Sequence, residues 1–114
     1  MQNLFEFSKQ NNVKYFMISF TDLFGGQRAK LVPAAAISEM QNNGAGFAGF
    51  ATWLDMTPAH PDMLAIPDPT SVVQLPWKPE VAWVAANCVM EDQLVEQAPR
   101  NVLQQQIKSA SKVG

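Results

Sequence analysis

The sequence predicts an α+β fold in a single domain. Three observations carry that expectation. Two segments, Val13 to Asp22 and Val81 to Met90, alternate like strands and are rich in β-branched and aromatic residues. Gly25-Gly26 and Pro67-Asp68-Pro69-Thr70 are turn signals at the ends of such segments. Helical spacing is confined to the start, to the stretch after Pro33 and to the end. The chain has 114 residues, 47% of them hydrophobic, enough for one core and too few for two.

The elements follow in order. Asn3 to Asn11 reads as a short helix, with Leu4, Phe7 and Ser8 on one face and Asn11-Asn12 as its stop. In the strand that follows, Phe16, Ile18 and Phe20 point one way and Tyr15, Met17 and Ser19 the other. Both faces are partly apolar, so both are expected to be covered. Gly25-Gly26 supplies a hairpin turn, and Gln27 to Val32 returns with Ala29 and Leu31 inward and Arg28 and Lys30 outward. Pro33 suits the first position of a helix, Ala34 to Gln41, which Asn43-Gly44 ends. Gly44 to Phe50 holds a short extended segment, and Thr52 to Pro61 reads as a long loop. Met63 to Ile66 and Ser71 to Leu75 are short strands, the latter stopped by Pro76-Trp77-Lys78-Pro79. Val81 to Met90 is the central strand: Val81, Trp83, Ala85 and Val89 share one face, and Ala82, Val84, Ala86 and Cys88 the other. Pro99 opens a last helix to about Lys112 with a modest apolar stripe. A helix across a mixed sheet with an initial hairpin is a β-grasp-like architecture.

Composition narrows the chemistry. The net charge is −2 and no basic stripe exists, which excludes nucleic acid as an expected partner. No apolar run reaches the length of a membrane span. The start, Met1-Gln2-Asn3-Leu4-Phe5-Glu6, lacks a basic segment followed by an apolar one, so a cytoplasmic protein is expected. With one Cys and one His, a single chain cannot build an intrachain disulfide or a Cys/His zinc site. Cys88 and His60 could form a nucleophilic pair, but Cys88 sits in an apolar run where thiols are buried and inert.

Gly44-Ala45-Gly46-Phe47-Ala48-Gly49 fits G-x-G-x-x-G, yet a helix precedes it and no helical pattern follows, which is the reverse of a dinucleotide site. Asp55, His60 and Asp62 share one loop and could act as acid, base or metal ligands; the neighbouring Pro58 and Pro61 equally make it a stiff polar loop. Trp53 reads as an interface anchor or a core residue. Tyr15, Met17, Phe47 and Phe50 leave apolar surface that calls for a partner.

Four stretches together resemble the N-terminal β-grasp domain of the glutamine synthetase family. They are Phe20-Thr21-Asp22-Leu23-Phe24-Gly25 leading to Val32-Pro33-Ala34; Phe47-Ala48-Gly49-Phe50-Ala51; Pro61-Asp62-Met63 with Ile66-Pro67-Asp68-Pro69-Thr70-Ser71 and Leu75-Pro76-Trp77; and Ala98-Pro99-Arg100-Asn101-Val102-Leu103. Each is short, but their order and spacing cover nearly the whole chain. The resemblance implies residues 1–97 as the β-grasp domain and 98–114 as the start of the helix leading to a catalytic domain.

The resemblance also implies a function. Such enzymes activate the γ-carboxylate of glutamate with ATP and Mg or Mn, and ammonia then displaces phosphate. Subunits form a homo-oligomeric ring, and each active site lies between one subunit's N-terminal domain and its neighbour's catalytic domain. Metal and ATP ligands belong to that catalytic domain, so this chain is expected to bind no cofactor and to be inactive alone. Ala48, Gly49, Phe50 and Ala51 are implied as the amine-side loop, and Phe47 and Trp53 as interface residues. Many members read Phe-Asp-Gly-Ser-Ser in that loop, with the Asp binding ammonium; here Ala48 stands in the Asp place and Ala51 in that of the last Ser. This departure fits a variant, type III-like class related to γ-glutamylmethylamide synthetases, with Phe50 able to contact an alkyl group. Alternatively another acidic residue serves ammonia. A stand-alone β-grasp interaction module without catalysis is the reading from a different class.

Overall fold

Asn3 opens the first helix by accepting hydrogen bonds from the backbone N–H groups of Phe5 and Glu6, and Asn12 closes it in the left-handed conformation at φ 54°. From this start the computed structural model describes residues 3–49 and 56–114. The elements are α1 (Leu4–Asn11), β1 (Tyr15–Thr21), β2 (Gln27–Pro33), α2 (Ile37–Asn43), β3 (Ala45–Phe47), β4 (Met63–Pro67), β5 (Val73–Gln74), β6 (Val81–Met90), β7 (Gln93–Leu94) and α3 (Pro99–Val113). One turn of 3₁₀-helix, Ala34–Ala36, leads into α2, so Pro33 ends the strand rather than sitting inside the helix.

The strands form one mixed sheet in the order β2-β1-β6-β4-β3, with β5 and β7 also paired to β6. β1 runs parallel to β6, whereas every other pairing among the described residues is antiparallel. Helices packed on a mixed sheet give the expected α+β, β-grasp-like class. The sheet has a core face and an open face. Phe16 and Ile18 of β1, Val84 and Ala86 of β6, and Met63 and Ala65 of β4 are fully buried. Leu4 of α1 and Ile37 of α2 join them with no exposure. A hydrogen bond of 3.1 Å from the Leu4 N–H to Gln41 Oε1 ties the two covering helices together.

The β2 faces are the reverse of the expectation. Register pairs Phe16 with Val32, Ile18 with Lys30 and Phe20 with Arg28. Arg28, Lys30 and Val32 therefore lie on the core face, and Ala29 and Leu31 on the open one, with Leu31 57% exposed. Alternation alone assigned the apolar residues inward. At an edge strand, long basic side chains lay their stems along the rim of a core and carry their charge out of it. The open face is apolar too: Leu31, Met17, Trp83 and Val73 form one row across β2, β1, β6 and β5.

Gly44 shows what joins α2 to the sheet. Its φ is +84°, and a Cβ there would come within 3.1 Å of both Ile66 and Leu64 on β4. Beyond β6, Glu91 and Asp92 both have positive φ and turn the chain into β7, a two-residue hairpin that the sequence reading lacks.

The face assignment is tested by urea unfolding of the 114-residue chain. Ile18→Ala, in the core, is expected to cost about 2–5 kcal/mol. Leu31→Ala, on the open face, is expected to stay within about 0.5 kcal/mol.

Candidate functional site

The β1–β2 hairpin is closed by a buried carboxylate. Asp22 Oδ1 accepts from the backbone N–H groups of Phe24 and Gly26, each at 2.9 Å. Its Oδ2 accepts from Arg28 Nε at 3.1 Å, a contact that the inverted β2 face makes possible. Burial works to raise the Asp22 pKa. The Gly26 N–H, the Arg28 side chain and the Phe24 N–H outweigh it and hold the carboxyl below its ordinary value of 3.8. Leu23 and Phe24, at the hairpin tip, are 47% and 80% exposed.

The segment carrying the candidate amine-side residues leaves the sheet at the end of β3. Phe47 pairs with Met63 of β4 and lies on the core face, half-buried. Its ring meets Phe20 edge-on, with centroids 4.9 Å apart and planes at 88°. Lys30 Nζ sits 5.0 Å from the Phe47 ring centroid and donates a hydrogen bond to the Gly46 carbonyl. Phe47 thus does not share the open face of Tyr15 and Met17. Ala48 is exposed, and its side chain offers no charge or hydrogen bond. Gly49 is buried, and a Cβ there would run into Met56 Sδ, so only glycine fits without a shift. Phe50, Ala51, Trp53 and Asp55 lie outside the described residues.

The helix α3 is held at its first turn. Arg100 donates to Asp68 Oδ2 at 2.5 Å and to Asn87 Oδ1 at 3.0 Å. The Asp68 carboxyl also accepts from the Thr70 N–H and hydroxyl. Burial raises its pKa, but Thr70 and Arg100 prevail and hold it below 3.8. Asn101, 3% exposed, donates to the carbonyls of Cys88 and Val95. Along the open face, Ser19, Thr21, Gln27, Trp83, Arg100 and Leu103 line a shallow cleft of about 280 Å³. Farther along α3, Leu103 and Ile107 are 60% and 59% exposed.

The remaining sequence candidates separate. Cys88 is buried, and burial pushes its thiol up to about 12, so it is not a nucleophile at neutral pH. The His60 ring is engaged by Thr57, through the backbone N–H at 2.9 Å and the hydroxyl at 3.1 Å, and not by Cys88. Among the described residues, no three His, Cys, Asp or Glu side chains are placed to hold a metal ion. No described helix is long and apolar enough to cross a membrane. The G-x-G-x-x-G stretch forms β3 and the start of the following segment, with no strand-to-helix turn for a pyrophosphate.

Comparison with known proteins then decides the family. No family model matches the sequence. The chain is 67% identical over 112 residues to a glutamine synthetase of Rhizobium leguminosarum bv. phaseoli, an alignment covering 98% of this chain and 26% of that protein. The chain belongs to the glutamine synthetase family as an N-terminal domain. A glutamate–methylamine ligase of Methyloversatilis universalis is 35% identical over 111 residues, 96% of this chain and 25% of its own. Among solved structures, a GmaS/ADP complex superposes with a TM-score of 0.96 at 54% identity, over 98% of this chain and 26% of that one. This glutamine synthetase-family domain thus spans about a quarter of the length of the relatives it matches.

Sequence reasoning about this domain missed Lys30, the Asp22–Arg28 pair and the Arg100–Asp68–Asn87 cluster. Each joins residues from different elements: Asp22, Asp68 and Arg100 stand in the family-like stretches, but nothing in the sequence pointed to the partners they find.

The two lowered carboxyl pKa values fix the sign of an acid effect. The unfolded chain regains the ordinary value of 3.8, so it binds protons that the folded chain refuses. The stabilisation is complete above that value and lost as pH falls through the lower folded values. Urea unfolding at a series of acid pH values is expected to show this loss, and Asp22→Asn or Asp68→Asn to reduce its steepness.

Proposed function

We propose that this chain is the N-terminal domain of an ATP-dependent ligase that amidates the γ-carboxylate of glutamate with ammonia. The observation that carries this reading is the 67% identity to a glutamine synthetase over 98% of the chain. Residues 1–97 form the β-grasp unit, and 98–114 begin the helix toward a catalytic domain that holds ATP and Mg or Mn. That domain makes γ-glutamyl phosphate. The present domain closes a neighbouring subunit's active site with the Phe47 to Ala51 segment, has Phe47 and Trp53 as its interface residues, and is inactive by itself. The full enzyme acts in the cytoplasm.

A second reading, methylamine in place of ammonia, is favoured by Ala48. A carboxylate beside an ammonium ion supplies attraction and a proton acceptor, each strongest where water is excluded. Ala48 supplies neither, and it is exposed at the end of β3. Both a glutamate–methylamine ligase and a GmaS structure are among the relatives. Full-length enzyme compared with ammonia and methylamine at equal free-base concentration separates the two readings. Ala48→Asp is expected to raise kcat/KM for ammonia by about tenfold, or about 1.4 kcal/mol. No change would remove this segment from the amine site.

The open sheet face supports assembly into a ring. Its row of Leu31, Met17, Trp83 and Val73 is apolar, with Leu31 57% and Val73 51% exposed. Such a face on an isolated domain calls for protein to cover it. Leu31→Asp is expected to leave the domain folded by circular dichroism and to shift full-length enzyme from ring to smaller species in light scattering. An unchanged ring would place the subunit contact elsewhere.

A further inference from the structure

We propose that Lys30 is a positioning residue that sets the amine-side segment from outside the site. The inference rests on the reading of Phe47 to Ala51 given above. β2 and β3 stand at opposite ends of the sheet order, so no strand pairing links them. Lys30 bridges them all the same. Its place on the core face, opposite Ile18, sends its ammonium to the Gly46 carbonyl and to the Phe47 ring, 5.0 Å from the centroid. Phe20, on the neighbouring strand β1, holds the same ring edge-on at 4.9 Å. The two residues immediately before Ala48 are thereby fixed through both backbone and side chain. Beyond them, Gly49 is packed against Met56.

This bridge is built for direction rather than bulk stability. Lys30 is exposed, and exposed charges contribute little to folding. The segment it holds has no charged side chain in its described part, Phe47-Ala48-Gly49, so its effect on an amine must come through its position. A displacement of about 1 Å in a positioned group can cost about 100-fold in rate. The cation touches no substrate; it acts through Phe47 and the Gly46 carbonyl. An Arg in its place can still donate to a carbonyl and stack on a ring, whereas Met keeps the length and loses both.

The test uses the full-length enzyme with glutamate, ATP, ammonia and methylamine. Lys30→Met is expected to raise the amine KM about five- to twentyfold and to change the methylamine-to-ammonia selectivity. The KM values for glutamate and ATP should stay within about twofold and the melting temperature within about 2 °C. Lys30→Arg should recover most of the amine KM. If Lys30→Met proves poorly folded, Lys30→Gln keeps a donor for the Gly46 carbonyl and removes only the charge; its amine KM should fall between wild type and the loss expected of Met. An unchanged amine KM and selectivity, or an equal rise in all three KM values, overturns the proposal. Ala48→Asp, measured alongside, separates the two levels of the argument. If Ala48→Asp alters amine use while Lys30→Met does not, the segment keeps its role and Lys30 loses its own. If neither variant alters amine use, the reading of the segment falls and the role of Lys30 with it.

Discussion

The structure depends on β6 being paired along both of its edges. Trp83 faces Met17 of β1 on one side and Val73 of β5 on the other. Six residues later, Val89 faces Leu64 of β4 and Leu94 of β7. Four strands from three parts of the chain are thus ordered by one segment. Backbone groups that water cannot reach must find partners, and here the ladder supplies them along the length of the strand. The near-continuous apolar run Val81 to Met90 is the chemical counterpart of that position.

Alternation along β1 and β6 then divides the molecule's work between two surfaces. The face bearing Phe16, Ile18 and Val84 is sealed by α1 and α2. The face bearing Met17 and Trp83 also carries Leu31 and Val73, both more than half exposed. The ends of the sheet are where the two tasks meet. Arg28 and Lys30 carry charge at the rim of the core, one toward Asp22 and one toward β3. A basic side chain there serves a packed interior and a polar margin at once.

The sequence disclosed the parts whose signals are local. β6 begins and ends where its alternation does, Pro99 marks the first residue of α3, and Gly25 takes φ +83° in the hairpin. The two elements that stayed hidden had no local signal. Glu91-Asp92 makes a tight turn without the Asn-Gly or Asp-Gly pair that advertises one, so β7 went unseen. The faces of β2 were inverted because Ala29 and Leu31 look like core residues and Lys30 does not. Only the register with β1, a fact about pairing, decides between them. The candidate site, the segment Phe47 to Ala51, rests on family resemblance, and only Phe47 to Gly49 of it lie among the described residues. Its supports at Lys30, Phe20 and Met56 come from three other stretches of chain, and spacing along one sequence does not reveal such a meeting.

The anchoring of α3 has a mechanical consequence. Arg100 and Asn101 root the helix by four hydrogen bonds, two of them to β6, while its far end, Val113, is 89% exposed. From Asn101 to Val113 the axis rises about 18 Å at about 1.5 Å per residue. A rod held at one end is a lever: a tilt of about 5° at the root carries the tip about 1.6 Å, by the same rise per residue. The root grips β6 through Asn87 and the Cys88 carbonyl, so a load applied along the helix is felt as torque on the central strand.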